Sequence, residues 1–246
     1  KPYGIEPELQ WAGARAHNRW LAEFCQEDPA RRIGLAVIPA MYDMQANLRE
    51  IQWAKDNGLK GVFLPCLTDN HKAYNHRDWW PMWKLLQDLK MPVNFHSGAS
   101  PAMDTSQPGW IGSFLCEYPF WLTRPMWQMI FGGVFEEFKE LKVCFVEAGG
   151  EFWFPWMLQL MDVRASVKHT SGKLGDYNSN LTMKPSDYFR KHMFVGCSAL
   201  PDENSTKDYY DIGIAHILWG TDYPHPEGTW PATLEKMVTS LGGLPE

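Results

Sequence analysis

Apolar runs suited to buried strands alternate along this chain with segments of helical spacing. The runs lack polar alternation, which is typical of strands buried on both faces. The six predicted strands are Ile33–Pro39, Gly61–Cys66, Pro92–Gly98, Lys142–Glu147, Met193–Cys197 and His216–Asp222. The predicted helices are Glu6–Cys25, Asp43–Asn57, Trp79–Leu89, Arg124–Leu141, Phe154–Val167 and Asp202–Ile212. Strict alternation of strand and helix predicts right-handed βαβ units and a parallel sheet.

The pattern favours a closed barrel over an open doubly wound sheet. Polar residues follow the C-terminal ends of several predicted strands, where barrel enzymes carry their active sites. No glycine-rich phosphate turn follows any strand, which argues against a nucleotide-binding open sheet. The sequence has no internal repeat and no low-complexity linker. We therefore expect one domain that forms most of an α/β TIM barrel.

Charge and composition argue against nucleic acids and membranes as binding partners. The 246 residues carry a formal net charge of -6 with scattered charges, so the basic stripe of a nucleic-acid or anionic-membrane binder is missing. No apolar run approaches the ~18 residues of a membrane span, and the first residues lack the apolar stretch of a signal peptide. We expect a cytoplasmic protein. Its five cysteines form no CxxC pair, which argues against a disulfide scaffold or a zinc ribbon.

Four polar residues lie at or just past the ends of predicted strands. They are His96, Glu147, Asp222 and His225. In a barrel the ends of different strands converge on one mouth, so residues remote in sequence meet there. Histidine and carboxylate are the ligand and proton-transfer groups of a divalent metal site, and a bound ion makes hydroxide available near neutral pH. The alternatives are a hydrogen-bonded core histidine for His96 and a turn residue for His225.

Two loops are predicted to flank the strands. The stretch Ala99–Leu122 is long and rich in aromatic residues, Trp110 among them, which is typical of a lid or pocket wall. The stretch Lys168–Lys184 is predicted to be a solvent-facing loop. Arg124 and Arg77 are candidates for gripping a substrate carboxylate through paired hydrogen bonds, with surface arginines as the alternative.

The remaining chemistry-bearing residues point less clearly to a site. His71 and His76 lie in a polar loop, where solvated histidines are the simpler interpretation. Cys66 and Cys197 lie at strand ends, but the sequence places no base beside either thiol, so a cysteine nucleophile is disfavoured.

Three blocks together resemble one family of enzymes. They are Val93–Gly98 (Val-Asn-Phe-His-Ser-Gly), Phe145–Gly150 (Phe-Val-Glu-Ala-Gly-Gly) and Trp219–Pro226 (Trp-Gly-Thr-Asp-Tyr-Pro-His-Pro). Their order and spacing resemble the amidohydrolase-related family of metal-dependent barrel enzymes. That family includes aminocarboxymuconate-semialdehyde decarboxylase, decarboxylases of aromatic acids, and hydrolases of lactones and related carboxylates.

The resemblance implies roles for individual residues. His96 would be a metal ligand at the end of the family's fifth strand, and Asp222 a ligand and proton-transfer carboxylate at the end of the eighth. Glu147 stands where the decarboxylases usually have a catalytic histidine, so it replaces the acid/base, binds the metal or braces the site. We take Asp222, Glu147 and His225 as candidate catalytic residues, and Arg124 and Trp110 as candidate substrate contacts.

The resemblance also assigns the six strands to the third to eighth of the family. We therefore expect residues 1–246 to be a single metal-dependent hydrolase barrel domain that lacks the first two strands and the last helix, truncated at both ends. The main hypothesis is a hydrolase of a small carboxylate, lactone or amide that uses one divalent metal ion, zinc first and manganese second. The alternatives are a metal-dependent decarboxylase of a small or aromatic acid and a metal-free barrel with a binding or structural role. A small-molecule substrate and a homodimer are the expected partners.

Overall fold

The computed structural model describes residues 6–40, 43–66, 72–96, 103–148, 153–166, 180–197, 213–226 and 228–242. Strands and helices alternate along the chain, as the apolar pattern predicts. The chain divides into two compact units, Lys1–Val143 and Cys144–Glu246. The single domain expected over residues 1–246 stays a prediction.

The first unit carries three parallel strands and their helices. In chain order its elements are α1 (Pro7–Gln26), β1 (Leu35–Val37), α2 (Met44–Asp56), β2 (Gly61–Pro65), a 3-10 turn (Arg77–Trp79), α3 (Trp80–Asp88), β3 (Val93–His96), α4 (Trp110–Phe131) and α5 (Val134–Glu137). Strand β2 lies between β1 and β3, with Val37 opposite Phe63 and Pro65 opposite His96. The predicted strands and the first three predicted helices are confirmed in this unit.

Helix α1 is fixed to the sheet by a buried polar side chain. Asn18 is fully buried; its amide nitrogen donates to the Val37 carbonyl at 3.0 Å and its oxygen accepts from the Val37 nitrogen at 2.8 Å. The same amide nitrogen donates to Glu50 of α2 at 2.9 Å, and the buried Glu50 carboxylate also pairs with Arg19. Because Ile38 donates to Phe63 of β2, Val37 faces away from β2, and Asn18 takes the place of a neighbouring strand there.

Helix α4 corrects the predicted loop over Ala99–Leu122. From Trp110 onward this stretch is helical, and the helix continues through Pro119 and Pro125 to Phe131. Proline usually ends a helix because it lacks the N–H and crowds the preceding turn. Here an apolar face compensates, with Leu122, Met126, Met129 and Ile130 buried.

The predicted helix Arg124–Leu141 is interrupted after Phe131. Gly132 and Gly133 separate α4 from α5. Gly133 has a φ of +72°, and a Cβ on Gly132 would come within 2.2 Å of the Cβ of Asn75. Only glycine accommodates both the left-handed turn and this close approach.

The second unit begins within β4 (Val143–Phe145), at Cys144. It continues with α6 (Trp153–Ser166), α7 (Pro185–His192), β5 (Met193–Cys197), a 3-10 turn (Ile214–His216), β6 (Ile217–Trp219) and α8 (Thr233–Leu241). Strands β5 and β6 are parallel, with Cys197 opposite Trp219. Strand β4 adjoins β5, where the Ala148 nitrogen donates to the Gly196 carbonyl at 3.0 Å. The predicted strands of this unit and the predicted helix Phe154–Val167 are confirmed.

Two helices of the second unit were not predicted. Helix α7 has Pro185 at its first position, where proline is favoured, and Asp162 caps it by accepting from the Ser186 nitrogen at 2.9 Å. Helix α8 follows β6, which corrects the expectation that no helix comes after the last strand. Its Leu234, Met237 and Val238 recur at three- and four-residue spacing, a helical pattern that the prolines just before it obscure.

Some predictions fall on residues that the structure does not describe. The helix Asp202–Ile212 lies outside the described residues, as does the loop Lys168–Lys184 except for residues 180–184.

Within the described ranges, no helix is both long and apolar enough to cross a membrane.

Candidate active site

Both candidate catalytic carboxylates have left-handed backbone conformations just past strand ends. In the part of the chain that the structure describes, four residues other than glycine have positive φ: Ala40, Lys90, Glu147 and Asp222. Glu147 follows β4 with a φ of +60°, and Asp222 follows β6 with a φ of +54°. Such conformations cost about 1–3 kcal/mol for a residue with a side chain and cluster at active sites.

Asp222 is held close to the end of β6. The Gly220 nitrogen donates to the Cys197 carbonyl of β5 at 2.7 Å, which continues the sheet pairing one residue past the strand. The Asp222 side chain is 24% exposed, so its carboxylate is partly shielded from water while remaining accessible.

The structure brings Asp222 and His225 together. The His225 Nδ1 atom lies 3.2 Å from Oδ2 of Asp222, and the His225 backbone nitrogen donates to the Asp222 carbonyl at 2.7 Å. The imidazole is 54% exposed, more than twice the exposed fraction of the carboxylate. The tight turn therefore places the more exposed imidazole of His225 next to the Asp222 carboxylate.

Gly228 is a supporting residue that sequence reasoning missed. A Cβ at this position would lie 2.7 Å from the Thr221 carbonyl oxygen, 2.9 Å from that of His225 and 3.0 Å from that of Asp222. The Gly228 nitrogen donates to the His225 carbonyl at 3.0 Å, and the Thr229 nitrogen donates to the Thr221 carbonyl at 2.9 Å. The loop folds back so tightly that only glycine fits beside the Asp222 backbone.

Glu147 is half-buried and lies against β5. Its backbone nitrogen would be 3.3 Å from a Cβ on Gly196, so the missing side chain lets β5 approach the Glu147 turn. Glu147 and Asp222 therefore follow the same edge of the sheet, on strands either side of β5. Since neighbouring strands lie about 4.8 Å apart, the strands that carry them are separated by roughly 10 Å, a span suited to a small molecule.

His96 is the last residue of β3 in the first unit. It is half-buried, its ring centroid is 5.9 Å from that of Phe63, and its carbonyl accepts from the Cys66 nitrogen at 3.3 Å. His96 therefore lies at the end of a strand, as the sequence predicts, and its role as a metal ligand stays a prediction.

The candidate substrate contacts lie on α4. Trp110 is its half-buried first residue, and Arg124 lies within the helix as an exposed residue. The other candidate arginine, Arg77, stacks its guanidinium 4.4 Å from the ring centroid of Trp80. His76 accepts a hydrogen bond from the Asp78 nitrogen at the start of the 3-10 turn, as expected of a loop histidine, and His71 lies outside the described residues.

The buried cysteines of the second unit are unsuited to nucleophilic attack. Burial raises the pKa of the Cys144 thiol from 9.0 to about 12, and burial, together with the charge of Cys144, raises that of Cys197 to about 12 as well. Because the thiolate is the nucleophile, both groups are inert near neutral pH. Cys66, the other cysteine at a strand end, is also buried.

Two of the candidate residues, one in each unit, carry donor types that divalent metal ions accept. An imidazole at His96 and a carboxylate at Asp222 are suitable donors for zinc-like ions or manganese. Among the residues with described positions, no group of three or more His, Cys, Asp or Glu could hold an ion.

The chain is similar to known proteins over most of its length. The sequence profile of the amidohydrolase family matches residues 6–245. The chain is 27% identical over 229 residues to the 2-amino-3-carboxymuconate-6-semialdehyde decarboxylase of Dictyostelium discoideum, an alignment that covers 92% of this chain and 60% of that protein. The chain thus spans less than two thirds of the length of that relative.

Two crystal structures of decarboxylases have the same fold. The 5-carboxyvanillate decarboxylase of Sphingomonas paucimobilis gives a TM-score of 0.80 at 20% identity, covering 99% of this chain and 70% of that one. A dihydroxybenzoic acid decarboxylase of Polaromonas sp., with bound manganese and the inhibitor 2-nitroresorcinol, gives 0.75 at 21% identity, covering 100% and 73%. These likenesses confirm the predicted α/β barrel fold.

Proposed function

Because the chain belongs to the amidohydrolase family, we propose that it takes part in the metal-dependent decarboxylation of a small or aromatic carboxylic acid. The sequence alone favours hydrolysis and holds decarboxylation as the alternative. The named activities of the similar proteins support the alternative better, since all three are decarboxylases.

The observation that carries the proposal is the pair of carboxylates in left-handed conformations at one edge of the second unit. Glu147 and Asp222 follow strands on either side of β5, each at a positive φ. Such local strain is found at active sites more often than elsewhere, and here it recurs at two carboxylates that follow strand ends. Two carboxylates at one edge of a sheet can also serve as proton-transfer groups for a small acid.

A divalent cation, when bound, supplies positive charge that holds a substrate carboxylate and stabilises negative charge on a neighbouring oxygen. His96 and Asp222 are the proposed ligands, on their donor type and their places at strand ends. Zinc is the first expectation from the sequence. The similar crystal structure of the dihydroxybenzoic acid decarboxylase contains manganese, so Mn²⁺ is the first ion to test.

The protein side chains then supply the proton. Decarboxylation breaks the bond between the carboxyl carbon and the carbon that bears it, and the electron pair stays on that second carbon while carbon dioxide leaves. A proton must reach the same carbon. Asp222 is proposed to take a proton from water and pass it to that carbon, which returns Asp222 to its carboxylate form, because its side chain is partly shielded but accessible. Glu147 is proposed as the second proton-transfer group, in place of the family's histidine.

Substrate contacts and assembly are also part of the proposal. Trp110 offers an indole for contact with an aromatic ring, and Arg124 offers a guanidinium for a carboxylate. A homodimer stays a prediction.

Release of carbon dioxide from defined acids tests the proposal. Nitro and carboxylate groups have similar shapes, so the inhibitor 2-nitroresorcinol points to 2,6-dihydroxybenzoate as one test substrate, and 5-carboxyvanillate is the other. We expect release that requires added Mn²⁺ and is blocked by 2-nitroresorcinol. Hydrolysis of a lactone panel without any carbon dioxide release would contradict the proposal and favour the hydrolase hypothesis.

A further inference from the structure

We propose that His225 is a positioning residue for Asp222: its Nδ1–H donates to Oδ2 and fixes the orientation in which the carboxylate meets the metal and the substrate. This inference rests on the proposed function. The two atoms lie 3.2 Å apart, at the outer limit of an N–H···O hydrogen bond.

The backbone holds this pair in a single arrangement. The turn is closed by the His225 nitrogen, which donates to the Asp222 carbonyl at 2.7 Å. Pro224 and Pro226 flank His225, and each fixes its own φ. Gly228 packs against the carbonyl oxygens of both Asp222 and His225 at distances that exclude a side chain. The imidazole therefore reaches the carboxylate from a turn that the backbone closes.

The chemistry of the pair selects one tautomer. A neutral imidazole has one N–H donor and one acceptor nitrogen, and a carboxylate accepts hydrogen bonds. Nδ1 therefore carries the proton and Nε2 the lone pair. Carboxylates that bind metals are themselves oriented by hydrogen-bond partners, and loss of such a partner costs about 10- to 100-fold in metal affinity or activity.

Three variants separate this role from general damage through metal affinity, and a fourth, Asp222→Ala, tests the tautomer. His225→Leu removes the donor. His225→Asn keeps an N–H donor near the position of Nδ1 on a shorter side chain. His76→Leu is the control for loss of an exposed histidine beside a carboxylate: its Nδ1 lies 3.3 Å from Oδ1 of Asp78, but it accepts from the Asp78 nitrogen and so does not orient the carboxylate by donating.

The measurements are Mn²⁺ affinity, from the rise of the melting temperature with metal concentration, and the tautomer of His225 by ¹⁵N NMR of the metal-free protein. We expect His225→Leu to lower Mn²⁺ affinity about 10- to 100-fold, with an unchanged melting temperature of the metal-free protein. His225→Asn should recover most of the wild-type Mn²⁺ affinity. His76→Leu should have the Mn²⁺ affinity of the wild type. We expect the Nδ1–H tautomer in the wild type and its loss in Asp222→Ala.

Three results overturn the inference, and two of them leave the proposed function intact. Wild-type Mn²⁺ affinity in His225→Leu, or an Nε2–H tautomer in the wild type, removes the positioning role while metal-dependent decarboxylation stands. A wild-type protein that binds no Mn²⁺ overturns the proposed function and the positioning role together, even where NMR finds the Nδ1–H tautomer.

Discussion

Gly196 of β5 lies against the backbone of Glu147, and the absence of its side chain lets the two strands close around a strained turn. A Cβ on Gly196 would approach the Glu147 nitrogen to 3.3 Å and the Val146 Cα to 3.4 Å. The neighbours are backbone atoms, which cannot rotate away as a flexible side chain would.

Gly196→Ala should therefore displace Glu147. We expect a loss of about 1–3 kcal/mol in the free energy of unfolding, the usual range for overpacking, and reduced decarboxylation. Urea denaturation gives the first quantity. Gly220→Ala is the control, since a Cβ there meets the Cys197 carbonyl oxygen at an ordinary 3.5 Å. Equal stability losses in both variants would contradict this account of Gly196.

The left-handed conformation of Glu147 gives a second prediction. Glycine adopts a φ of +60° without strain, whereas alanine costs about 1 kcal/mol or more there. Both substitutions remove the carboxylate, so both should abolish decarboxylation, but Glu147→Gly should be more stable to urea than Glu147→Ala.

Lys90 is the matched site for that comparison. It has a φ of +54°, is exposed and lies in the turn before β3. Lys90→Gly should likewise exceed Lys90→Ala in stability, with full activity in both. Loss of activity at Lys90 would show that strain relief alone disturbs the enzyme, and the role of the Glu147 carboxylate would then lose its support.

Replacing Asn18 should be costly, because buried polar groups of two other elements depend on it. Asn18→Leu leaves the Val37 N–H and C=O without their partner and takes a donor from the buried Glu50. We expect a loss of about 3 kcal/mol in the free energy of unfolding. Asn57→Leu is the control, because Asn57 bonds only the last turn of its own helix at Trp53. Similar losses of stability in the two variants would show that the hydrogen bonds between Asn18 of α1 and Val37 of β1 have no special role.

The buried thiols predict a loss of stability at alkaline pH. The pKa values of Cys144 and Cys197 rise from 9.0 to about 12 in the folded chain. The unfolded chain therefore releases these protons at lower pH, so their stabilising contribution is complete below pH 9.0 and declines as the pH rises towards 12.

Replacing both thiols tests that sign. In Cys144→Ala with Cys197→Ala, the decline in melting temperature between pH 9.0 and about 12 should be shallower than in the wild type. At pH 8, iodoacetamide should modify the exposed Cys116 first. Rapid modification of Cys197 in the folded protein would contradict the burial argument.

The sequence predicts the strands well because buried parallel strands leave continuous apolar runs, such as the one that ends in His96. It predicts the helix over residues 110–131 poorly, because Pro119 and Pro125 resemble breakers until the apolar face that offsets them is known. The helix Thr233–Leu241 has a readable spacing, but the prolines before it dominate the local pattern.

The sequence likewise predicts some features of the candidate site and not others. Strand ends indicate His96, Glu147 and Asp222, since polar residues after apolar runs stand out. The contact of His225 with Asp222 depends on how one turn folds back, and the need for glycine at 196 and 228 depends on approaches between segments. Neither has a signature in residue type or spacing.

The identity of Glu147 also sets a test of its own. If Glu147 transfers a proton, Glu147→Gln should lose most decarboxylation while Mn²⁺ affinity is retained, because the amide cannot carry the proton. Metal affinity comes from the same melting experiment with added Mn²⁺. A loss of Mn²⁺ affinity would instead assign Glu147 as a ligand.

The central claim is that a proton carried by Asp222 replaces the departing carboxyl group. The most direct measurement is the reaction of 2,6-dihydroxybenzoate with the Mn²⁺-loaded protein in D₂O, followed by mass and NMR analysis of the product. We predict one carbon dioxide released per product molecule, one deuterium at the carbon that lost it, and no reaction in Asp222→Asn that retains its fold. Undiminished turnover in Asp222→Asn, or no carbon dioxide from the wild type, would contradict the account.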